Sequence, residues 1–393
     1  MTRVLIVRGH LANPWELRPW EDLPARFEVA FLKTGSNGYD TSGLGLDARS
    51  VSALRDRLPS GRLGEVVTGI AGDRYLEDAN AAFEWADIVH AEELGFWFAA
   101  DAARRRLAGG DFQLVQTVWE TLPLGVAFRN RSARRYRGEV LAGTDLFLPA
   151  TERARLALLL EGVADDRMRV CSPGIDTERF ASAAANGAPP DGHVILSPGR
   201  LVWEKGHQDA IRALALIHRG IVGETRPEVS APRLLIVGNG PERERLQSYA
   251  GELGVGPFVD FASVPYDEMP SVFAGASCLL LGSLPVASAG YHPFDIPRTF
   301  WEEQFGMVFA EAMASGLPII TTMSGAIPEV LRDSATLVAP GDWPAMAEAL
   351  SAGPLARPPG ARVDYPPELL EYYSATAAAE RLAAAYDWLA PSL

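Results

Sequence analysis

Short apolar runs alternate with amphipathic segments along the whole chain. In the first half, strands are expected at Arg3–Arg8, Phe27–Lys33, Glu65–Thr68, Asp87–His90, Gln113–Val118, Asp145–Pro149 and Met168–Cys171. Helical patterns lie between them at Ala48–Leu58, Glu77–Trp85, Gly95–Leu107, Gly125–Leu141 and Thr151–Glu161, the last opened by Thr151 as a cap. Residues 183–193, AAANGAPPDGH, carry little apolar bulk and hold Asn-Gly and Pro-Pro steps, so they read as a linker. The alternation then restarts. Strands are expected at Val194–Ser197, Arg233–Val237, Phe258–Phe261, Cys278–Leu281, Pro318–Thr322 and Thr336–Val338. Helices are expected at His207–Arg219, Glu242–Leu253, Met269–Ala274, Val308–Ala314, Ile327–Leu331 and Pro344–Leu350. Strands continuous in Val, Ile and Leu, separated by amphipathic helices, predict an α/β protein with parallel sheets covered on both faces.

The expected layout is a first domain at 1–182, a linker at 183–193 and a second domain at 194–367. The Pro-rich stretch Gly353–Pro367 should hold no regular element. Beyond it, Glu368–Leu389 reads as one long helix, and residues 368–393 are expected to pack back on the first domain. A chain of 393 residues exceeds one ordinary core, which also favours two domains.

Composition narrows the partners. Acidic residues outnumber basic ones by 50 to 36, so the formal charge is −14. That balance argues against nucleic-acid binding, which needs basic surface to displace counterions. Cys171 and Cys278 stand far apart, without metal-ligand or disulfide spacing, which suits a reducing cytoplasm. The apolar run Val4–Val7 is too short for a signal-peptide core and suits a first buried strand. A cytoplasmic protein is expected, with contact at the inner membrane face left open. Arg129, Arg131, Arg134, Arg135 and Arg137 form a basic run, and Arg104, Arg105 and Arg106 another. They suit anionic lipid or an anionic acceptor. A solvated helix face is the commoner explanation and the favoured one.

Chemistry concentrates at strand ends of the second half, where an open parallel sheet places its ligands. In Ser197–His207, SPGRLVWEKGH, Gly199 permits a sharp turn, and Arg200 and Lys205 follow on the loop into the next helix. Two such cations can converge on a diphosphate, Arg as a fork and Lys as a point charge. Gly238 and Gly240 in LLIVGNGPERERL leave room for close approach at the next strand end, although a purely structural turn fits equally. In FASVPYDEMPSVF, Val264 could present backbone groups to a nucleobase edge, or mark only a turn.

The richest stretch is Trp301–Pro318, WEEQFGMVFAEAMASGLP. It sets Glu303, a turn at Gly306, a helix start at Val308, and Glu311 within nine residues. Exposed N–H groups at a helix start suit phosphate, and carboxylates suit hydroxyls. The small apolar residues after Glu311 suggest burial, and a buried carboxylate needs a partner that a hydroxyl pair would supply.

Taken together, GRLVWEKG, GNGPER, EEQFGMVFAEAMASGLPII, SGAIPEVL and the junction PGIDTERF resemble the retaining glycosyltransferases of family four, the glycosyl transferases group 1. The resemblance covers the second half in order and spacing. It implies a GT-B architecture, two Rossmann-like parallel-sheet domains facing a central cleft. Arg200, Lys205 and Glu303 would be catalytic. The first two would stabilise the leaving diphosphate, and Glu303 would contact the transferred sugar. Gly9, Gly199, Gly238, Val264, Gly306, Met307, Val308 and Glu311 would bind the donor, with Glu311 on the ribose.

The first half resembles the family in layout only. Gly9–His10 replaces a frequent glycine pair, and Trp119 stands where many members have His. His90 and Glu120 are further acceptor-side candidates beside His10 and Trp119, each with a bland structural reading at least as good. Gly282–Phe300, with Tyr291, His292 and Phe294, reads as a flap or as a surface loop.

The expected function is therefore transfer of a sugar from a UDP-, GDP- or ADP-linked donor, with retention. The acceptor would be a sugar, a lipid-linked sugar or a small glycoside. No cofactor or metal is expected, since the chain has no D-x-D pair. Rival readings are a nucleotide-sugar epimerase, a sugar phosphorylase and a sugar-nucleotide-binding protein that has lost turnover. A dehydrogenase ranks last for want of G-x-G-x-x-G after either first strand.

Overall fold

The computed structural model describes residues 1–59, 64, 67–68, 72–76, 79–125, 131–188, 190–223, 231–287 and 300–389. They form two compact units. The first comprises the described parts of Met1–Ile175 and Ser374–Leu393, with Ala287 and Phe300. The second comprises those of Asp176–Val286 and Trp301–Tyr373.

The first unit is built on a six-stranded sheet. Its strands are β1 (Thr2–Gly9), β2 (Phe27–Lys33), β3 (Asp47–Ser50), β4 (Ile88–Glu92), β5 (Gln113–Val118) and β6 (Leu146–Pro149), in the order β3-β2-β1-β4-β5-β6. Every pairing is parallel. Alternate residues feed two cores. Leu5, Val7, Val89 and Leu114 meet the helices Trp97–Leu107 and Arg131–Gly143 on one face. Val4, Ile6, Ile88, Val115 and Leu146 meet Leu382, Tyr386 and Leu389 of helix Ala375–Leu389 on the other.

The second unit repeats the plan with β7 (Val194–Pro198), β8 (Arg233–Val237), β9 (Val259–Ala262) and β10 (Cys278–Leu281). The two-residue strands β11 (Val286–Ala287) and β12 (Phe300–Trp301) pair with each other. β13 (Ile319–Thr322) and β14 (Thr336–Val338) complete a parallel sheet ordered β14-β13-β10-β7-β8-β9. Its core joins Ile195, Leu234, Leu280 and Ile320 to Ile211, Leu214 and Met346 of the flanking helices.

Several sequence expectations need correction. The third strand of the first sheet is Asp47–Ser50, which overlaps the start of the helix expected at Ala48–Leu58. It is an edge strand with little burial, so no alternating pattern marks it, and pairing with β2 decides its conformation. Of Glu65–Thr68, expected as that strand, only Val67 and Thr68 are described, and both are helical. Met168–Cys171 forms only a single bridge, Met168 to Phe147.

A helix over Thr177–Asn186 was not anticipated. Asp176 caps it by accepting from the Arg179 N–H at 3.1 Å, and Phe180 buries its inner face. Its alanines favour helix, so the expected linker overlaps its last turn, and the break between units falls at Ile175–Asp176 instead. The final helix is two helices. Pro367–Tyr372 belongs to the second unit, while Ala375–Leu389 packs in the first. Residue 126–130 positions, Arg129 among them, and Tyr291, His292 and Phe294 lie outside the described residues.

Candidate functional site

In the second unit the loop Gly199–Gly206 leaves β7 and enters helix His207–His218. His207 sets its shape from below. Its ring is buried, with Nδ1 2.9 Å from Ser197 Oγ and Nε2 3.2 Å from the Arg200 carbonyl. Burial lowers its pKa to about 4, so the imidazole is neutral. The second loop, after β8, lies directly against the first. A Cβ on Gly238 would sit 1.9 Å from the Gly199 carbonyl oxygen, so glycine is required there by packing alone. Leu201 N–H donates to the Asn239 carbonyl at 2.8 Å and locks the two loops together.

This frame delivers Lys205 to Glu303. Lys205 Nζ donates to both carboxylate oxygens, at 2.9 and 2.7 Å. Ser283 Oγ donates to Oε2 at 2.8 Å, and the ammonium lies 5.1 Å from the Trp301 ring centroid. Glu303 is only 5% exposed. Its carbonyl accepts from Ala326 N–H at 2.9 Å, which ties the SGAIPEVL segment to it. Arg200, by contrast, is exposed and forms no ion pair among the described residues.

Gly306 follows, with φ of +79°, a left-handed turn that a Cβ would bring to 2.4 Å from the Phe309 ring. It caps helix Met307–Ala314. Met307 and Val308 are half-buried, and N–H groups of a first turn have no acceptor within their own helix. One turn on, Glu311 is buried at 2% exposure. Its partner is Tyr266, whose hydroxyl donates to Oε1 at 2.6 Å. Burial pushes the Glu311 carboxyl up to about 7, against the lowering effect of that hydrogen bond. Val264 is half-buried two residues before Tyr266.

The structure thus brings Lys205, Glu303 and the Gly306 turn together, and adds Ser283, Trp301, His207 and Tyr266, which the sequence reading did not assign. The buried Glu311 called for a partner; nothing in the sequence said it would be Tyr266, 45 positions away.

In the first unit the candidates scatter. His90 is enclosed, with Nδ1 2.6 Å from Tyr386 Oη and Nε2 2.7 Å from Thr117 Oγ1. Tyr386 Oη also accepts from Trp20 Nε1 at 2.8 Å, so Trp20, Tyr386, His90 and Thr117 form one buried hydrogen-bonded chain. Burial lowers the His90 pKa well below the ordinary range. Both nitrogens are used internally, which makes His90 a structural residue rather than a ligand contact. Gly9 packs against Phe98, 2.6 Å from where its Cβ would stand. His10 is half-buried and neutral, its pKa lowered to about 4 by burial and then by Arg55. Trp119 is half-buried; its backbone N–H donates to Glu93 at 2.8 Å and its side chain to Glu92. Glu120 is buried and accepts from Leu122 N–H at 3.2 Å.

The basic runs are largely spent on carboxylates. Arg104 pairs with Glu139, Arg105 with Asp101, Arg106 with Asp145 and Arg137 with Glu161.

Residues 178–352 match the family model for glycosyl transferases group 1. Over 261 residues the chain is 32% identical to the GDP-mannose-dependent alpha-(1-6)-phosphatidylinositol monomannoside mannosyltransferase of Mycobacterium tuberculosis, covering 61% of this chain and 60% of that protein. Over 270 residues it is 29% identical to the D-inositol 3-phosphate glycosyltransferase of Acidothermus cellulolyticus, covering 63% and 55%. The matched stretch thus spans 55% to 60% of these curated relatives. Among solved structures, sucrose-phosphate synthase from Thermosynechococcus elongatus superposes with a TM-score of 0.70 at 18% identity, over 100% of both chains. Anabaena HepE in complex with UDP gives 0.68 at 16%, over 99% and 100%. The fold is that of the GT-B glycosyltransferases, and residues 178–352, a little under half of the chain, carry the match to the glycosyl transferases group 1 family.

Proposed function

We propose that this chain transfers a sugar from a nucleotide-sugar donor held by the second unit to a hydroxyl of an acceptor held by the first, with retention and without a metal. The observation that carries the reading is the Lys205–Glu303 pair, buried at the carboxyl end of the sheet, with the exposed Arg200 on the same loop as Lys205. The pair is neutral overall. Two of the three ammonium N–H groups point at Glu303, so one is left for a ligand oxygen. Net positive charge for a departing diphosphate then comes from Arg200, reinforced by the helix start at Met307. Glu303 would accept from sugar hydroxyls, and Glu311 from the ribose in place of Tyr266. Gly199, Gly238 and Val264 would line the donor. Attack on the donor would come from the front face, assisted by the leaving phosphate; no enzymatic nucleophile is evident among the described residues.

The relatives' names support a nucleotide-linked donor, one of them GDP-mannose-dependent, and one neighbour of the fold was solved with UDP. An acceptor with a lipid or cyclitol part is in keeping with those names. Contact with a membrane surface would use the exposed Arg131, Arg134 and Arg135. No described helix is long and apolar enough to cross a membrane.

A thermal-shift screen against UDP, GDP, ADP and TDP tests the donor. At a hundredfold excess over Kd the right nucleotide should add about 2.7 kcal/mol. No shift with any of the four would overturn the donor site. NMR of fresh product reads the anomer, and inversion would refute retention. Loss of turnover in EDTA would refute metal independence.

A further inference from the structure

The first unit holds a second cluster of buried charge, at the carboxyl ends of its three central strands. Arg8 is the penultimate residue of β1, Glu92 closes β4, and Trp119 follows β5. Arg8 is 2% exposed. Its Nε lies 3.4 Å from Glu92 Oε2 without hydrogen-bond geometry, and both Nε and Nη1 have no hydrogen-bond partner. The guanidinium centre is 5.5 Å from the Trp20 ring. A buried ion with unfilled donors costs several kcal/mol unless acceptors are supplied.

Structural ion pairs elsewhere in the same sheet look different. Arg3 forks onto Asp87 with Nε and Nη2 at 3.2 and 2.8 Å. The Arg8–Glu92 pair lacks that fit, so its geometry is not accounted for by mutual satisfaction.

Glu92 is the carboxyl paired with this guanidinium, and Glu16 is near enough to feel the charge of both. Glu92 is pushed up by burial, against the opposing pull of Arg8 and the Trp119 hydrogen bond. Glu16, on the short helix Pro14–Leu17, is pushed up to about 7 by burial and by the Glu92 charge, while Arg8 lowers it. With both ionised the cluster is net negative, so a phosphate or carboxylate would meet repulsion. A neutral hydroxyl suits every member, because its oxygen accepts from Arg8 while its proton goes to a carboxylate. The half-buried Glu16 and Trp119 are the outer members of the cluster.

We propose that Arg8, Glu16, Glu92 and Trp119 form a subsite for the hydroxyls of a neutral polyol, so that the acceptor offers uncharged hydroxyls here and carries any charged group elsewhere. This rests on the reading of the first unit as the acceptor side.

The test is saturation-transfer NMR on the full chain at pH 8, where Glu16 is ionised. The probes are myo-inositol and methyl α-D-mannopyranoside, with inorganic phosphate as competitor. Arg8→Lys keeps the charge and loses the fork; Glu16→Ala alters a half-buried rim position that should leave folding intact. Both should weaken polyol binding at least about fivefold, the size of one lost hydrogen bond. Phosphate should not compete, and the thermal shift with the preferred nucleotide should be unchanged. The subsite is overturned if neither polyol binds the folded wild type, if neither variant weakens binding, or if phosphate displaces the polyol. Should Arg8→Lys unfold, Glu16→Ala decides alone. Polyol binding without any nucleotide shift would sink the donor site and leave this subsite standing.

Discussion

The two sheets share a plan, but one strand-end polar cluster from each shows opposite outcomes. In the first unit, Trp20, His90, Thr117 and Tyr386 form a closed chain of hydrogen bonds that uses every ring nitrogen and hydroxyl it contains. In the second, Lys205 and Glu303 meet with a donor to spare, and Arg200, on the same loop as Lys205, is exposed. A buried polar residue at a strand end is thus not evidence of a site by itself. What separates the two is whether the hydrogen-bonding capacity is exhausted within the fold.

The sharpest contrast lies between Arg200 and Lys205. Arg200→Ala removes a charge with no structural partner, so turnover should fall by about 10²–10³ while the melting temperature stays put. Equal turnover in a steady-state assay would take Arg200 out of the site. Lys205→Ala strands a buried carboxylate, and should cost about 3 kcal/mol of stability as well as activity. Adding Glu303→Gln should restore much of the stability and none of the turnover. Denaturant titration of the single and double variants measures this, and additive losses would mean the pair is not coupled.

The closed network of the first unit should respond in stability only. Tyr386→Phe leaves the Trp20 N–H and His90 Nδ1 without their shared partner, at about 1–3 kcal/mol. Nucleotide shifts should be unaffected. A selective loss of nucleotide binding would contradict the structural assignment of His90 and Tyr386.

Glu311 offers a gentler test through pH. Its carboxyl titrates near 7 in the fold, against an ordinary 4.5. Between these values the folded chain holds a proton the unfolded chain has lost, so this group's contribution to stability falls as pH rises through that window. A ligand that needs the carboxylate behaves in reverse, losing about tenfold in affinity from pH 8 to 6. Tyr266→Phe removes a bond that favours ionisation and should move the midpoint upward. Calorimetry showing flat affinity across that range would remove Glu311 from the ribose.

The smallest effects belong to the exposed pairs, one in each unit. Arg26–Asp387 and Arg233–Asp260 both lie about half in solvent. Asp387→Asn and Asp260→Asn should each cost at most about 0.5 kcal/mol, and less in high salt. A loss several times larger in urea melts would show that one of them carries hidden packing.

The sequence by itself determined the alternating α/β plan, since β2, β5, β8, β10 and β14 lie where continuous apolar runs place them. It also marked Arg200 with Lys205, and Gly306 with Glu311, because a loop encodes the first two, and a turn with a helix start the second two, within a few residues of each other. Only the tertiary structure decided the partners. Tyr266 reaches Glu311, Ser283 reaches Glu303, and Tyr386 reaches His90 across 296 positions. Periodicity records which face of an element is buried; it carries no record of which distant side chain will share that burial. The edge strand Asp47–Ser50 and the unfilled nitrogens of Arg8 share this cause, since pairing and hydrogen-bond satisfaction are settled between segments rather than within them.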